Sequence, residues 1–196
     1  MAAPRKHDTD TILDAARALA LEHGPRGLGV AAIAEASGAP VGTLYHRFSD
    51  RDGVLAATWL RALRRFQETA LSAAEATPGD PVERAVAIGM AALTFSREDP
   101  DDARLLIVLR RDDLLDAAPD EAFASELAAI NAPLEAMLKE LTRALYGRAG
   151  RREFERMRRA VVDVSYSAVR AHPADQPRWL AAEVEAAIRA LLTVGR

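Results

Sequence analysis

The densest group of side chains able to do chemistry lies between residues 41 and 48. Leu44 and Phe48 are one helical turn apart, so a helix in this segment turns both inward. The outward face then carries small, hydroxyl-bearing and imidazole side chains: Val41, Gly42, Thr43, Tyr45 and His46. Hydroxyls and imidazoles bind phosphates and base edges, glycine lets a phosphate backbone approach closely, and valine suits a thymine methyl group. The spacing predicts a helix face that contacts DNA. The alternatives are that His46 only faces solvent and that Tyr45 packs against the protein itself.

Two helices joined by a tight turn must position that face. The pattern predicts a short helix over residues 30–36 that ends at Gly38, then a helix over residues 40–47 with Pro40 in its first turn. This is a candidate helix-turn-helix, whose second helix enters the major groove of DNA. Arg51, at the start of the next helix, adds a positive charge and a helix N-terminus for a phosphate. A plain corner between two helices is the alternative.

The whole chain is predicted to be all-α, with about nine helices. Alanine, leucine, arginine and glutamate dominate its 196 residues, and all four are strong helix formers. The first helix is expected over residues 9–22, and Ser49 is expected to cap a fourth helix that runs to about residue 75.

Prolines mark the later boundaries. Asp80, Pro81 and Glu83 predict a capping box at the start of a fifth helix, which is apolar nearly all round and should be central. Pro119 opens a long helical segment, and Pro133 inside it predicts a kink or a break.

Several functional classes have no support in the sequence. There is no cysteine, so thiolate metal sites and cysteine nucleophiles are excluded. The longest charge-free apolar run is the 11-residue segment 85–95, whereas about 20 residues are needed to cross a bilayer. No phosphate-binding loop, nucleophile elbow or zinc-binding histidine pair is present. We expect a cytoplasmic protein that is not an enzyme, binds no membrane, and needs no cofactor or metal.

Two amphipathic helices close the chain, over about residues 152–171 and 177–194. Their apolar stripes recur at spacings of three and four, at Phe154, Met157, Val161, Val164, Ala168, Leu180, Val184, Ile188 and Leu191. Such stripes form either the core of the chain itself or an interface with a second copy, since closed twofold dimers are the commonest oligomers. Both interpretations stay open at this stage.

Residues 9–60 resemble the N-terminal domain of the TetR family of transcriptional regulators. The resemblance rests on Ile33-Ala34, Gly38, the run from Gly42 to Tyr45, Phe48 and Leu55. It implies a DNA-binding domain over residues 1–52 and a ligand-binding and dimerisation domain over residues 53–196, connected by the helix at about 50–75. It also implies a homodimer formed through the last two helices. The chain departs from the family at residues 29–31, where Gly-Val-Ala replaces the usual hydroxyl pair, and Arg51 replaces the usual lysine.

A ligand cavity between helices of the second domain would be mostly apolar with a few polar groups. The candidate lining residues are Met90, Thr94, Phe95, Leu106, Asn131, Met137 and Tyr166. Packing in an ordinary core is the alternative for each of them.

The N-terminal domain has an unusual charge balance for a DNA-binding domain. Residues 1–52 hold six basic and seven acidic residues, and the whole chain has a net charge of −3. Few phosphates can be neutralised, so we expect weak non-specific binding and a shallow dependence on salt.

The helix-turn-helix and the resemblance together favour a sequence-specific regulator of transcription that binds double-stranded operator DNA. The resemblance implies a repressor released by an unknown small-molecule effector. The alternative is a helical small-molecule-binding protein, or a small helical enzyme, that has lost DNA binding.

Overall fold

Every regular element in the described part of the chain is a helix, as the composition predicts. The structure, a computed structural model, describes residues 8–24, 27–109, 121–173 and 175–194. The helices are α1 (Thr9–His23), α2 (Val30–Ser37), α3 (Val41–Phe48), α4 (Arg51–Glu75), α5 (Pro81–Glu98), α6 (Pro100–Val108), α7 (Glu121–Tyr146), α8 (Arg151–Arg158), a π-helical turn (Arg159–Asp163), α9 (Val164–Ala171) and α10 (Leu180–Thr193). With α8, the π-helical turn and α9 taken as one helix, the described residues form nine helices.

Aspartate side chains cap the starts of three described helices, α1, α4 and α5, and two of the predicted caps need correction. Asp50, not Ser49, caps α4: its carboxylate accepts a hydrogen bond from the Gly53 N–H at 2.8 Å. Asp80 caps α5 as predicted, accepting from the Val82 N–H at 2.7 Å. The capping-box role of Glu83 is replaced by an ion pair with Arg189 of α10, because the fold brings that guanidinium to the start of α5.

The two long later helices continue through their irregular positions. α7 does not break at Pro133 but runs through it to Tyr146. Pro119, predicted to open this segment, lies outside the described residues. The predicted helix at 152–171 is continuous too, with a π-helical turn in its middle.

Two clusters of buried side chains form the interior. The N-terminal cluster runs from Ile12 to Ala62 and also takes in Leu105 and Leu109 of α6 and Phe123 and Leu127 of α7. The C-terminal cluster begins at Ala70 in α4 and joins α5, the rest of α7, and α8 to α10. As predicted, α5 is central: it packs against α4, α6, α7, α9 and α10. α4 passes through both clusters and therefore connects them; the boundary at residues 52/53 stays a prediction.

The closing stripes lie largely inside the chain's own core. Met157, Val161, Leu180, Val184 and Ile188 are buried in the C-terminal cluster. Phe154, Val164, Ala168 and Leu191 are partly buried against it. These side chains thus pack within one copy, and a second copy would meet the remaining faces of the same helices. None of the described helices is long and apolar enough to cross a bilayer.

Candidate nucleic-acid interface and interior cavity

The turn between α2 and α3 has the geometry that a helix-turn-helix requires. Gly38 adopts a left-handed conformation with φ of 68°, which glycine enters without steric cost, and its N–H donates to the Glu35 carbonyl. The Ser37 hydroxyl donates to the Ile33 carbonyl at 2.7 Å. Leu44 is buried in the N-terminal cluster, so α3 is held by its inward side.

The side chains on the outward side of α3 are mostly exposed to solvent. Val41 and Tyr45 are 43% and 53% exposed, and His46 is also exposed. Thr43 is half-buried. A Cβ added at Gly42 would meet no atom within 4 Å, so no neighbour in the fold requires glycine there. The exposure of Tyr45 argues against the packing role that the sequence left open.

A second tight turn joins α3 to α4. Ser49 has a positive φ of 67°, and the Asp50 N–H donates to the Phe48 carbonyl at 2.8 Å. A Cβ at Gly53 would lie 1.9 Å from the Phe48 carbonyl oxygen, so only glycine fits this close approach. The Arg51 guanidinium, predicted to bind a phosphate, is engaged by the Asp52 carboxylate at 2.6 Å. A phosphate at Arg51 would therefore compete with Asp52.

Arg47 is a candidate for the interface that the sequence did not predict. In the structure its guanidinium donates to the Thr9 hydroxyl at 3.2 Å. The two residues line a surface depression together with His46 and Phe48. The start of α1 and the end of α3 are far apart in sequence, so spacing alone carried no signal for this group.

Most arginine side chains around α1 to α3 pair with carboxylates or other side chains of the protein itself. Arg17 donates to Asp102 at 2.5 Å. Burial lowers the pKa of the Arg17 guanidinium, but the hydrogen bond and charge of Asp102 outweigh that effect and raise it. Arg5, Lys6 and Arg26, counted above, lie outside the described residues. In the described part of the N-terminal segment, acidic residues outnumber basic ones, as the full count predicts.

A cavity of about 530 Å³ lies between α4, α5, α6, α7 and the helix formed by α8 and α9. Four of the predicted residues line it: Phe95, Leu106, Asn131 and Tyr166. Met90, Thr94 and Met137 are not among its lining residues, because they lie on other faces of α5 and α7. Most remaining lining residues are apolar, including Leu63, Phe66, Ile88, Leu134, Leu138 and Phe154.

One polar pair interrupts the apolar wall. The Gln67 side-chain amide donates through Nε2 to Asn131 Oδ1 at 2.8 Å. The other amide atom, Gln67 Oε1, is buried and has no hydrogen-bond partner. Asn131 was among the predicted cavity residues and Gln67 was not, because a glutamine in an amphipathic helix normally faces water. No three described side chains of metal-ligating type converge at a common point.

Residues 12–58 match the family described as bacterial regulatory proteins, tetR family. Comparison with curated proteins returns no match. Among solved structures, the chain is similar to a TetR-family transcription regulator from Shewanella sp. PV-4, with 21% identity, a TM-score of 0.73, and 94% of this chain and 95% of that one covered. It is also similar to the fatty acid degradation regulator FadR from Bacillus halodurans, with 20% identity, a TM-score of 0.69, and 96% and 100% covered.

A third similar structure is AibR in complex with isovaleryl coenzyme A and operator DNA. It has 17% identity and a TM-score of 0.67, with 93% of this chain and 96% of that one covered. At these identities the structures establish a shared fold, and the family match identifies the N-terminal segment. Residues 12–58 thus match the N-terminal domain of the TetR family of bacterial regulatory proteins, on a chain whose fold is similar to that of solved TetR-family regulators.

Proposed function

We propose that this protein is a sequence-specific, DNA-binding regulator of transcription, a repressor that a small-molecule effector releases from its operator. The observation that carries the proposal is the outward side of α3, where Val41, Gly42, Tyr45 and His46 are exposed and serve no packing role. Thr43, half-buried beside them, adds a hydroxyl. A helix held by Leu44 and open on this side can enter a major groove.

The active species would be a homodimer. Two recognition helices would read half-sites separated by about one turn of DNA, roughly 34–36 Å. The outward face of α10, where Ala182, Ala186 and Ala190 recur every four residues and are exposed, lets a second helix approach closely. This face and the adjoining outward side of α8 and α9 are our candidates for the dimer contact.

The cavity supports effector binding, and α6 supports its coupling to DNA. α6 contributes Ala103, Leu106 and Ile107 to the cavity wall. The residue before them, Asp102, is buried and pairs with Arg17 of α1. A ligand that displaces α6 would therefore move α1 and the helices packed on it, with a coupling free energy of about 1–3 kcal/mol, typical of allosteric proteins. The isovaleryl coenzyme A in the AibR complex supports a small-molecule effector in this fold.

The test is DNA binding by the double variant Tyr45→Ala, His46→Ala. Fluorescence anisotropy would follow the protein on DNA that flanks its own gene, against random competitor DNA. The wild type should keep its binding in the presence of competitor, and the variant should lose it while retaining its helical content. As a control, His172→Ala with Trp179→Ala removes an imidazole and an exposed ring from the other end of the chain and should leave binding unchanged. Equal binding by wild type and the Tyr45, His46 variant would refute the proposed interface.

The near-neutral charge of residues 1–52 favours one competing function, a helical small-molecule-binding protein or small helical enzyme without DNA affinity. A selection from genomic DNA fragments separates the two. Recovery of a discrete fragment supports the regulator, and recovery of none, together with ligand binding by the cavity, supports the alternative.

A further inference from the structure

The Gln67–Asn131 pair is the one place in the described cavity wall where a buried polar atom lacks a partner. Gln67 is 7% exposed, and its Oε1 atom is fully enclosed without a hydrogen bond. A buried amide oxygen in this state costs free energy unless another group satisfies it. The Ser165 hydroxyl, also in the cavity wall, donates to the Val161 carbonyl at 2.9 Å.

The surroundings decide which group fits. The charged lining residues, Glu135 and Arg158, are exposed at the edge of the cavity, and Glu135 pairs with Lys139 at 2.5 Å. A charged ligand group at Gln67 would lose its hydration and gain only a neutral amide, so a neutral group is favoured. A hydroxyl both donates and accepts, so it satisfies the Gln67 amide whichever of its two polar atoms faces the cavity.

We propose that the cavity binds a mainly apolar, uncharged molecule that bears a hydroxyl group, an alcohol or a phenol, with the hydroxyl on Gln67. The apolar body would lie against Phe66, Phe95 and Leu138. The volume of about 530 Å³ is within the usual range for pockets that hold such molecules. This inference rests on the proposed function, in that it names the chemical class of the effector.

Two isomers of equal size test it on the full chain. 1-Octanol carries a hydroxyl, and heptyl methyl ether has the same atoms but no donor. Calorimetric titration of the wild type should give an affinity about tenfold higher for the alcohol, the range of one hydrogen bond to a buried group. In Gln67→Met, which keeps the length of the side chain, this preference should fall to about twofold or less.

The control is Glu68→Met, which places the same side chain at the neighbouring exposed position of α4 and should keep the tenfold preference. Equal binding of both isomers to the wild type overturns the hydroxyl assignment and leaves the cavity as an apolar effector site. If neither isomer binds, both the hydroxyl assignment and the cavity as a site for such molecules are overturned. The anisotropy experiment on Tyr45 and His46 tests the DNA-binding proposal without any ligand, so the two failures are distinguishable.

Discussion

At the scale of single residues, the outward side of α3 concentrates the features that distinguish a binding helix from a packed one. Gly42 shows this most directly. Glycine in a helix interior lowers stability relative to alanine, and the open space at Gly42 removes any steric reason for it. The remaining reason in our proposal is the approach of a phosphate backbone.

Gly42→Ala should therefore separate stability from binding. We expect the free energy of unfolding to rise by up to about 1 kcal/mol, because alanine restricts the unfolded chain and favours the helix. Operator affinity should fall about tenfold, since the added methyl group holds the phosphate away. Urea unfolding and anisotropy measure the two quantities. Unchanged operator affinity in this variant would show that no DNA backbone approaches Gly42.

At the scale of helices, two ionic links tie distant elements together. Asp102 of α6 is 1% exposed and receives Arg17 of α1 at 2.5 Å and Arg65 of α4 at 2.7 Å. Arg65 also pairs with Asp99 at 3.2 Å. The other link joins α5 to α10 through Glu83 and Arg189 at 2.8 Å. The first link connects α6, in the cavity wall, to α1, and the second holds α10 against the start of α5.

Asp102→Ala should destabilise the protein by about 3 kcal/mol, because it removes the buried carboxylate that pairs with both Arg17 and Arg65. Arg17 then keeps only its longer contact with Asp14, at 3.4 Å. Asp101→Ala, at the exposed neighbouring position, is the control and should change stability by less than about 0.5 kcal/mol. Chemical unfolding measures both.

A double variant, Arg17→Ala with Asp102→Ala, should lose less free energy of unfolding than the sum of the two single variants, since the pair acts as a unit. Additive losses would contradict a direct coupling.

The Glu83–Arg189 link predicts a dependence on pH. The hydrogen bond from Arg189 lowers the pKa of the Glu83 carboxyl below its ordinary value, and the charge of Arg189 adds to this effect. A carboxyl with a lowered pKa in the folded state stabilises the protein above its ordinary pKa, and the stabilisation is lost as the pH falls through the folded pKa. The wild type should therefore be more stable than Glu83→Gln at neutral pH.

That stability difference should begin to shrink as the pH falls to the ordinary pKa of glutamate, about 4.3, and should vanish once the pH is below the lowered pKa of the folded state. Thermal unfolding of the two proteins from pH 7 to pH 3 measures the difference. Glu183→Gln, at an exposed position of α10, is the control and should follow the wild type throughout. A difference between wild type and Glu83→Gln that stays constant across this range would contradict the pKa shift.

At the scale of the whole molecule, charge limits how the protein can find DNA. The chain has a net charge of −3, and Arg17, Arg51 and Arg61 each contact a carboxylate. Around α1 to α3, in the part of the chain that the structure describes, little positive charge is left to neutralise phosphates without regard to sequence. In our proposal the affinity for DNA then comes from the short contacts of α3, and specific binding should exceed non-specific binding even at low salt.

The slope of log affinity against log salt concentration should correspond to only a few phosphate contacts, far fewer than eight. Anisotropy titrations on the selected operator between 50 and 200 mM salt (a range over which strongly basic DNA-binding proteins lose about 10³-fold or more) measure it. A steep slope would mean that residues outside the described ranges, such as Arg5 and Lys6, supply cations to the complex.

Local patterns determined much of this protein. Helix periodicity, the glycine turn at Gly38 and the cap at Asp80 depend on residues within a few positions of one another, so sequence alone predicted an all-α fold and the outward side of α3. The prediction of Ser49 as the cap was wrong because α4 begins at Arg51, so Asp50 is the residue that directly precedes the helix and caps it with its carboxylate. The family resemblance, carried by the same local motifs, agrees with the match at residues 12–58.

Only the tertiary structure decided which distant faces meet. Gln67 and Asn131 are 64 residues apart, and Arg17 and Asp102 are 85 apart. Periodicity shows that a helix has an inner face, but the neighbour on that face depends on the packing of all the helices together. For this reason the sequence predicted an apolar cavity with polar groups and found Asn131, while the buried amide of Gln67 and the link from α6 to α1 came from the fold.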